Sequence, residues 1–167
     1  MTFEIRRAGL ADVDGIAAAH ADSIRSIGAR YYEPAIVRDW VARVESGLYV
    51  SAMARGELFF IAVGQPGDNP EVLGFSSHRT DDTEHRTAVY VRGTAARSGL
   101  GSALYRAAEA AAAAANATSI HVDASLAAVE FYKANGFEEV GRGEHRLSSG
   151  RPMACVFMRK KLDHVAV

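Results

Sequence analysis

The residues best spaced for chemistry run from Arg97 to Ser102, where Gly99 and Gly101 separate a β-prone segment, Ala88 to Arg92, from a helical pattern beginning at Leu100. The first backbone N–H groups of a helix lack internal partners and carry partial positive charge, so a phosphate placed there gains hydrogen bonds and a favourable dipole. Gly99 and Gly101 keep side chains off that surface and let a diphosphate approach the backbone, while Arg97 can add a charge and Ser102 a hydroxyl. Glycine at a strand-to-helix turn also serves tight packing alone, and that reading stays open. A nucleoside triphosphate loop needs a lysine after its glycines, and none follows here. A dinucleotide fingerprint needs a third glycine where Leu104 stands, in a turn after the first strand, whereas this turn lies mid-chain.

The elements that must position this turn follow from hydrophobic period. Phe3 to Arg7 alternates as a first strand. From Asp12 onward, Val13, Ile16, Ala17, His20, Ile24 and Ile27 recur at helical spacing, with Asp12 placed to cap the helix and Gly28 to stop it. Pro34 suits the first turn of a second helix carrying Ile36, Val37, Trp40, Val41 and Val44 inward, and residues 47–55 are ambiguous. Leu58 to Val63 is a β-prone run, followed by a turn over residues 64–70. Val72 to His78 and Thr87 to Arg92 follow as strands separated by a polar loop from Arg79 to Glu84, so Leu58 to Arg92 reads as an antiparallel meander. Leu100, Ala103, Leu104, Ala107, Ala108 and Ala111 mark a helix that Asn116 stops. Ser119 to Asp123 is a short strand, Leu126 to Ala134 a short helix, and Phe137 to His145 with Met153 to Lys160 a final strand pair. With no repeat or linker, residues 1–167 are expected to form one α/β or α+β domain.

At the turn the sequence resembles the GCN5-related N-acetyltransferase (GNAT) superfamily, whose signature sets Gln or Arg ahead of Gly-x-Gly/Ala; Gly99, Leu100 and Gly101 match, and Ala96 stands where the Gln or Arg would be. Phe131, Tyr132, Gly136 and Phe137 repeat the spacing of that family's later helix. The resemblance implies a central mixed, mostly antiparallel, twisted sheet flanked by helices and splayed between strand 87–92 and strand 119–123. It implies acetyl-CoA as co-substrate, its pyrophosphate held by the backbone of Arg97, Ser98, Gly99, Leu100, Gly101 and Ser102. Pantetheine is expected to pair with Val89, Tyr90 and Val91, and the backbone near Val89 and Tyr90 to face the oxyanion. Tyr132 matches the family tyrosine that hydrogen-bonds the thioester sulfur and protonates the thiolate; packing against the cofactor is the other reading. His85 stands where many members carry a glutamate base, and an imidazole with a pKa of about 6.5 is competent at neutral pH. Glu84 is the neighbouring alternative, acting through water, and the lack of a dedicated base stays open.

Composition bounds the rest. Lysine plus arginine number 19 against 20 acidic residues, so no basic field invites nucleic acid or an anionic membrane. No apolar stretch is long enough to span a bilayer, the N-terminus lacks a signal-peptide core, and the cytoplasm is the expected compartment. The single cysteine, Cys155, reads as a buried thiol. His20, His78, His121, His145 and His164 lack metal-ligand spacing, so no metal site is expected. Asp81 and Asp82 read as a solvated turn or as a lure for a cationic acceptor, Tyr31 and Tyr32 as packing or acceptor-pocket residues, and Arg142 to Arg151 as a solvated hairpin or an acceptor-contacting loop. The reaction expected from the resemblance is direct transfer of an acetyl group to a primary amine of a small molecule or peptide, in a chain that is a monomer or a homodimer. A non-catalytic acyl-CoA-binding regulator and a transferase of another acyl group, such as succinyl, are the alternatives.

Overall fold

The computed structural model describes residues 2–64 and 70–163, which leaves His164 and most of the expected 64–70 turn outside the described residues. In chain order the elements are β1 (Phe3–Arg7), α1 (Val13–Ser26), α2 (Pro34–Ala42), α3 (Ser46–Ala54), β2 (Leu58–Gly64), β3 (Val72–Asp81) and β4 (Glu84–Val91). They continue as α4 (Leu100–Ala114), β5 (Ser119–Ser125), α5 (Val129–Ala134), β6 (Glu138–Arg146) and β7 (Pro152–Lys161). All seven strands join one sheet in the order β1-β2-β3-β4-β5-β7-β6. Every neighbouring pair is antiparallel except β4 and β5, which run parallel and meet at the single pair Arg86 and His121. Beyond that pair the two strands part toward Val91 and Ser125, which is the splay implied by the sequence resemblance.

Alternation along the strands sorts side chains onto two faces. One face takes α1 and α3, where Ile16, Ala19, Tyr49, Ala52, Phe59, Ile61 and Phe75 form a buried cluster. The other takes α4 and α5: Leu100 and Leu104 pack on Ala62 and Leu73, while Tyr105, Tyr132 and Phe137 pack on Ile120, Val122, Val156 and Met158. The alanines of α4 give it a thin side, and its carbonyl at Leu104 accepts the buried Ser76 hydroxyl from β3 at 2.7 Å. Asn116, at φ 63°, takes the left-handed conformation that stops this helix. Among the described residues, no helix is long and apolar enough to cross a membrane.

Several local expectations are corrected. Asp12 stands at the N-cap position of α1 as expected, but it makes no side-chain cap bond: a 3₁₀ turn, Leu10–Asp12, precedes the helix, and the Asp12 carboxylate instead takes the Arg6 guanidinium at 2.9 and 2.8 Å and the Gly9 N–H at 2.8 Å. The α1 path runs on through a second 3₁₀ turn at Gly28–Arg30. No residue of α2 is fully buried, because that helix lies at the margin of the core, its Trp40 edge-on to Tyr32 and Tyr90. The expected polar loop Arg79 to Glu84 is strand almost throughout: β3 and β4 pair as far as Asp81 and Glu84, and the turn is only Asp82 and Thr83, with Asp82 at φ 52°. Its polar composition belongs to the exposed end of a two-residue hairpin, not to a loop.

Within the α1 face, His20 Nδ1 meets the Tyr49 hydroxyl at 2.6 Å and its ring lies 4.1 Å from that of Tyr90. Burial there holds the imidazole down to about 3 from its ordinary 6.5. Between those values the unfolded chain binds a proton at His20 that the folded chain refuses. This contribution is therefore intact above pH 6.5 and is lost on acidification, at up to about 1.4 kcal/mol per pH unit. Urea melts at about pH 7 and about pH 5.5 should show a larger acid loss in the unsubstituted protein than in His20→Phe/Tyr49→Phe, which removes both hydrogen-bonding partners. Equal losses would remove His20 as the cause.

Candidate active site

The turn between β4 and α4 is built to leave amides free. After a 3₁₀ turn at Gly93–Ala95, Arg97 adopts φ 60° and Gly99 φ 81°, so two left-handed residues alternate with right-handed or extended ones. Such alternation points successive N–H groups into one concavity, an anion nest. Among the described residues, no backbone or side-chain acceptor takes the N–H of Arg97, Ser98, Gly99, Leu100, Gly101 or Ser102; the first bond of the helix is Ala103 N–H to the Gly99 carbonyl. The helix also lacks a side-chain cap, leaving its positive end open.

The two glycines do different jobs. A Cβ at Gly99 would meet nothing within 4 Å, so its requirement is the left-handed backbone. A Cβ at Gly101 would lie 3.1 Å from the Phe131 ring, so that position is small to let α5 close on α4. The Ser102 hydroxyl is drawn into the same contact, accepting from Asn135 Nδ2 at 3.3 Å. Arg97 and Ser98 are exposed, with the Ser98 hydroxyl donating to the Ala95 carbonyl at 2.6 Å.

The splay lies directly behind this turn. Arg92 N–H bonds the Leu73 carbonyl of β3, so by alternation the N–H groups of Val91 and Val89 face the gap, while that of Tyr90 faces β3. Val89 N–H donates to the Tyr132 hydroxyl at 3.1 Å. Tyr132 reaches the gap from α5 with its ring packed against Phe131 and Phe137, and it is 2 % exposed. Burial, reinforced by the nearby Tyr90, pushes its phenol far above the usual tyrosine range and keeps the proton on the oxygen. Val89 N–H, the expected oxyanion donor, is thus engaged by Tyr132, and Tyr90 N–H points away, so Val91 supplies the free amide on the gap side.

On the α1 face the gap opens into a cleft of about 220 Å³ lined by Trp40, Glu57, Ser77, Arg79, Arg86, Ala88, Tyr90, Asp123, Ser125, His145, Met153 and Cys155, among others. The residues expected as bases sit outside it. His85 alternates with Arg86 along β4 and so points to the opposite face, where its ring stacks on His78 with Nδ1 2.8 Å from His78 Nε2. Glu84 shares the cleft face but lies at the closed end of the splay, held by Arg86 and 3.4 Å from His121 Nδ1. Arg86 also bonds Asp123 at 2.7 Å, so this group of charges staples β4 to β5 beside their one shared pair.

Of the two carboxylates that line the cleft, Asp123 is held by Arg86, and Glu57 is the other, which sequence reasoning missed. It precedes β2, its side chain is 12 % exposed, and its one ion-pair neighbour, Arg79, is 3.8 Å away. Burial raises its carboxyl above the usual range, opposed more weakly by Arg79. No local motif marks it, because its place in the cleft comes from pairing across β3. Cys155 is buried, and burial also raises its thiol, in line with an unreactive sulfhydryl. Tyr32 is a clamp, donating to the Ala154 carbonyl at 2.6 Å and accepting from Leu126 N–H at 2.8 Å, while Tyr31 is 53 % exposed. Asp81 pairs with Arg79 at 3.1 Å and Asp82 makes the turn. The β6–β7 hairpin faces α2, where Asp39 takes Ser149 at 2.7 Å and Arg151 at 2.9 Å. Among the described residues, no cluster of three or more His, Cys, Asp or Glu is arranged to hold a metal.

Comparison with known proteins agrees with this geometry. The family described as acetyltransferase (GNAT) domain matches residues 31–161. A GCN5-related N-acetyltransferase structure from Rhodopseudomonas palustris superposes with a TM-score of 0.82 at 26% identity, covering 97% of each chain. The paia N-acetyltransferase of Thermoplasma acidophilum, solved in complex with coenzyme A, superposes at 0.76 with 17% identity, covering 97% of this chain and 100% of that one. A putative acetyltransferase from Salmonella typhimurium, solved with its cofactor acetyl-CoA, superposes at 0.69 with 19% identity, covering 100% of this chain and 98% of that one. No curated protein matches the sequence. With a family match across most of its length, the chain belongs to the GNAT acetyltransferases.

Proposed function

We propose that the protein transfers the acetyl group of acetyl-CoA to a primary amine by direct attack in a ternary complex. The observation that carries this reading is the row of unpartnered amides from Arg97 to Ser102 at the open end of α4, set behind a gap that leads to the Tyr132 hydroxyl and the cleft. These amides fit a diphosphate: they are the donors such a group needs, in a concavity that no side chain caps. The missing side chain at Ala96 leaves that backbone array untouched.

The residues then divide the chemistry. Strand β4 offers the gap-side edge at Val89 and Val91 to the pantetheine amides, as an added strand would use it. An ammonium entering the cleft gives its proton to Glu57 through water, since burial has already made that carboxylate more basic than usual. The free amine attacks the thioester carbonyl carbon, forming the C–N bond, with Val91 N–H and, once Tyr132 turns toward sulfur, Val89 N–H available to the oxyanion. As the C–S bond breaks, Tyr132 hydrogen-bonds the departing sulfur and supplies its proton, recovering one from the amine nitrogen. The apolar surroundings raise a thiol as well as a phenol, so this transfer is not opposed by the phenol's own shift.

Tyr132→Phe should lower kcat by about 100-fold while CoA still binds in calorimetry; turnover within a few-fold of the unsubstituted enzyme would strip Tyr132 of its role. Glu57→Gln should abolish the acid limb of the kcat/KM pH profile and His85→Gln should leave it in place, whereas the reverse pattern would return the base to β4. Gly99→Val, which forces a β-branched residue into the left-handed region, should weaken CoA binding at least about tenfold. An undiminished affinity with a folded protein would move the diphosphate elsewhere.

A further inference from the structure

The chain reaches the row of free amides through the 3₁₀ turn Gly93–Ala95, and the start of that turn is capped from another element. Arg92 stands at the capping position but makes no cap bond; its guanidinium Nε donates to the Val72 carbonyl at 2.8 Å. The acceptor comes from the C-terminal half of α1, where Asp22 Oδ2 takes the Gly93 N–H at 2.9 Å. Asp22 is half-buried and, among the described residues, has no lysine, arginine or histidine within ion-pair distance. Its carboxylate therefore serves a backbone amide, as an N-cap does, but from across the fold.

The contact is packed as well as bonded. A Cβ at Gly93 would lie 2.5 Å from Ser26 Oγ and 2.8 Å from Ser26 Cβ, so the turn sits against α1 with no room for a side chain. Ser26 is fixed in its turn, its hydroxyl donating to the Asp22 carbonyl at 2.7 Å. Downstream, Ala95 is 1 % exposed and its carbonyl accepts the Ser98 hydroxyl at 2.6 Å. These restraints lie immediately around Arg97, whose left-handed backbone at φ 60° persists only where its surroundings hold it.

Resting on the diphosphate reading above, we infer that Asp22 is a positioning residue of the cofactor site: its bond to the Gly93 N–H holds the turn from which the amides of Arg97 to Ser102 converge. Without that bond the turn spends part of its time with those amides diverging, and the apparent Kd for CoA rises as the competent fraction falls. A carboxylate also repels a diphosphate through space. The two ways in which Asp22 could matter thus have opposite signs: loss of positioning weakens CoA binding, and loss of charge alone tightens it.

Calorimetric titration of CoA separates them. Asp22→Ala should weaken binding by about fivefold, the value of one hydrogen bond. Asp22→Asn, which keeps an oxygen acceptor and drops the charge, should bind at least as tightly as the unsubstituted protein. Gly93→Ala should weaken CoA by pushing the turn off Ser26, and Gly93→Ala/Ser26→Gly should recover the affinity; this pair leaves Asp22 in place and decides the matter should Asp22→Ala not fold. Undiminished affinity in Asp22→Ala or in Gly93→Ala, or an Asp22→Asn as weak as Asp22→Ala, would overturn the assignment. An absence of heat from the unsubstituted protein would instead remove the diphosphate reading itself, and the role of Asp22 with it.

Discussion

The structure depends on a single interrupted strand pairing. A parallel pair normally bonds along its length, but β4 and β5 share only Arg86 and His121 before they separate. Buried backbone polar groups left without partners are costly, so a sheet held open in its middle implies something that fills it. Part of that demand is met internally, by Tyr132 reaching from α5 to Val89 N–H. The cluster of Arg86 with Glu84 and Asp123 fastens the closed end, which fixes where the opening begins. Pairing of β5 with β7 and of β7 with β6 carries the far half of the sheet as one unit.

The turn from Arg97 to Ser102 and the gap are consecutive pieces of one chain path. β4 ends at Val91, the chain makes a 3₁₀ turn, and α4 starts with its N–H groups exposed beside the edge that β4 leaves unpaired. Arg97 in a left-handed conformation is the strained element of this path, a position where a residue with a Cβ persists only under surrounding constraint. Gly101 belongs to a different constraint, the contact with Phe131 that brings Tyr132 to the gap. The same turn thus also sets the distance between two helices.

Burial, more than ion pairing, tunes the site's protonation. It keeps Tyr132 and the Cys155 thiol protonated, raises Glu57, and holds His20 neutral. Each group lies where the α1 face or the gap excludes water, and each shift disfavours the charged form, as low polarity requires.

Period and turn chemistry in the sequence were enough to locate β1, α1, α2, the β2–β3–β4 meander, α4 and the final strand pair, because these signals are local: alternation, a proline in the first turn of α2, glycines between strand and helix. The turn from Arg97 to Ser102 and the short helix bearing Tyr132 were legible for the same reason, as motifs read along the chain. What stayed hidden depended on which face a residue takes and what lies across from it. His85 looked like a base until strand alternation turned it to the far side against His78, and the run from Arg79 to Glu84 looked like a loop because exposed strand ends and loops share a polar composition. Glu57 carries no motif at all and enters the cleft by the pairing of β2 on β3. Sequence spacing determined the turn with its unpartnered amides, and only the folded sheet decided which side chains line the cleft, since that wall is assembled from segments distant along the chain.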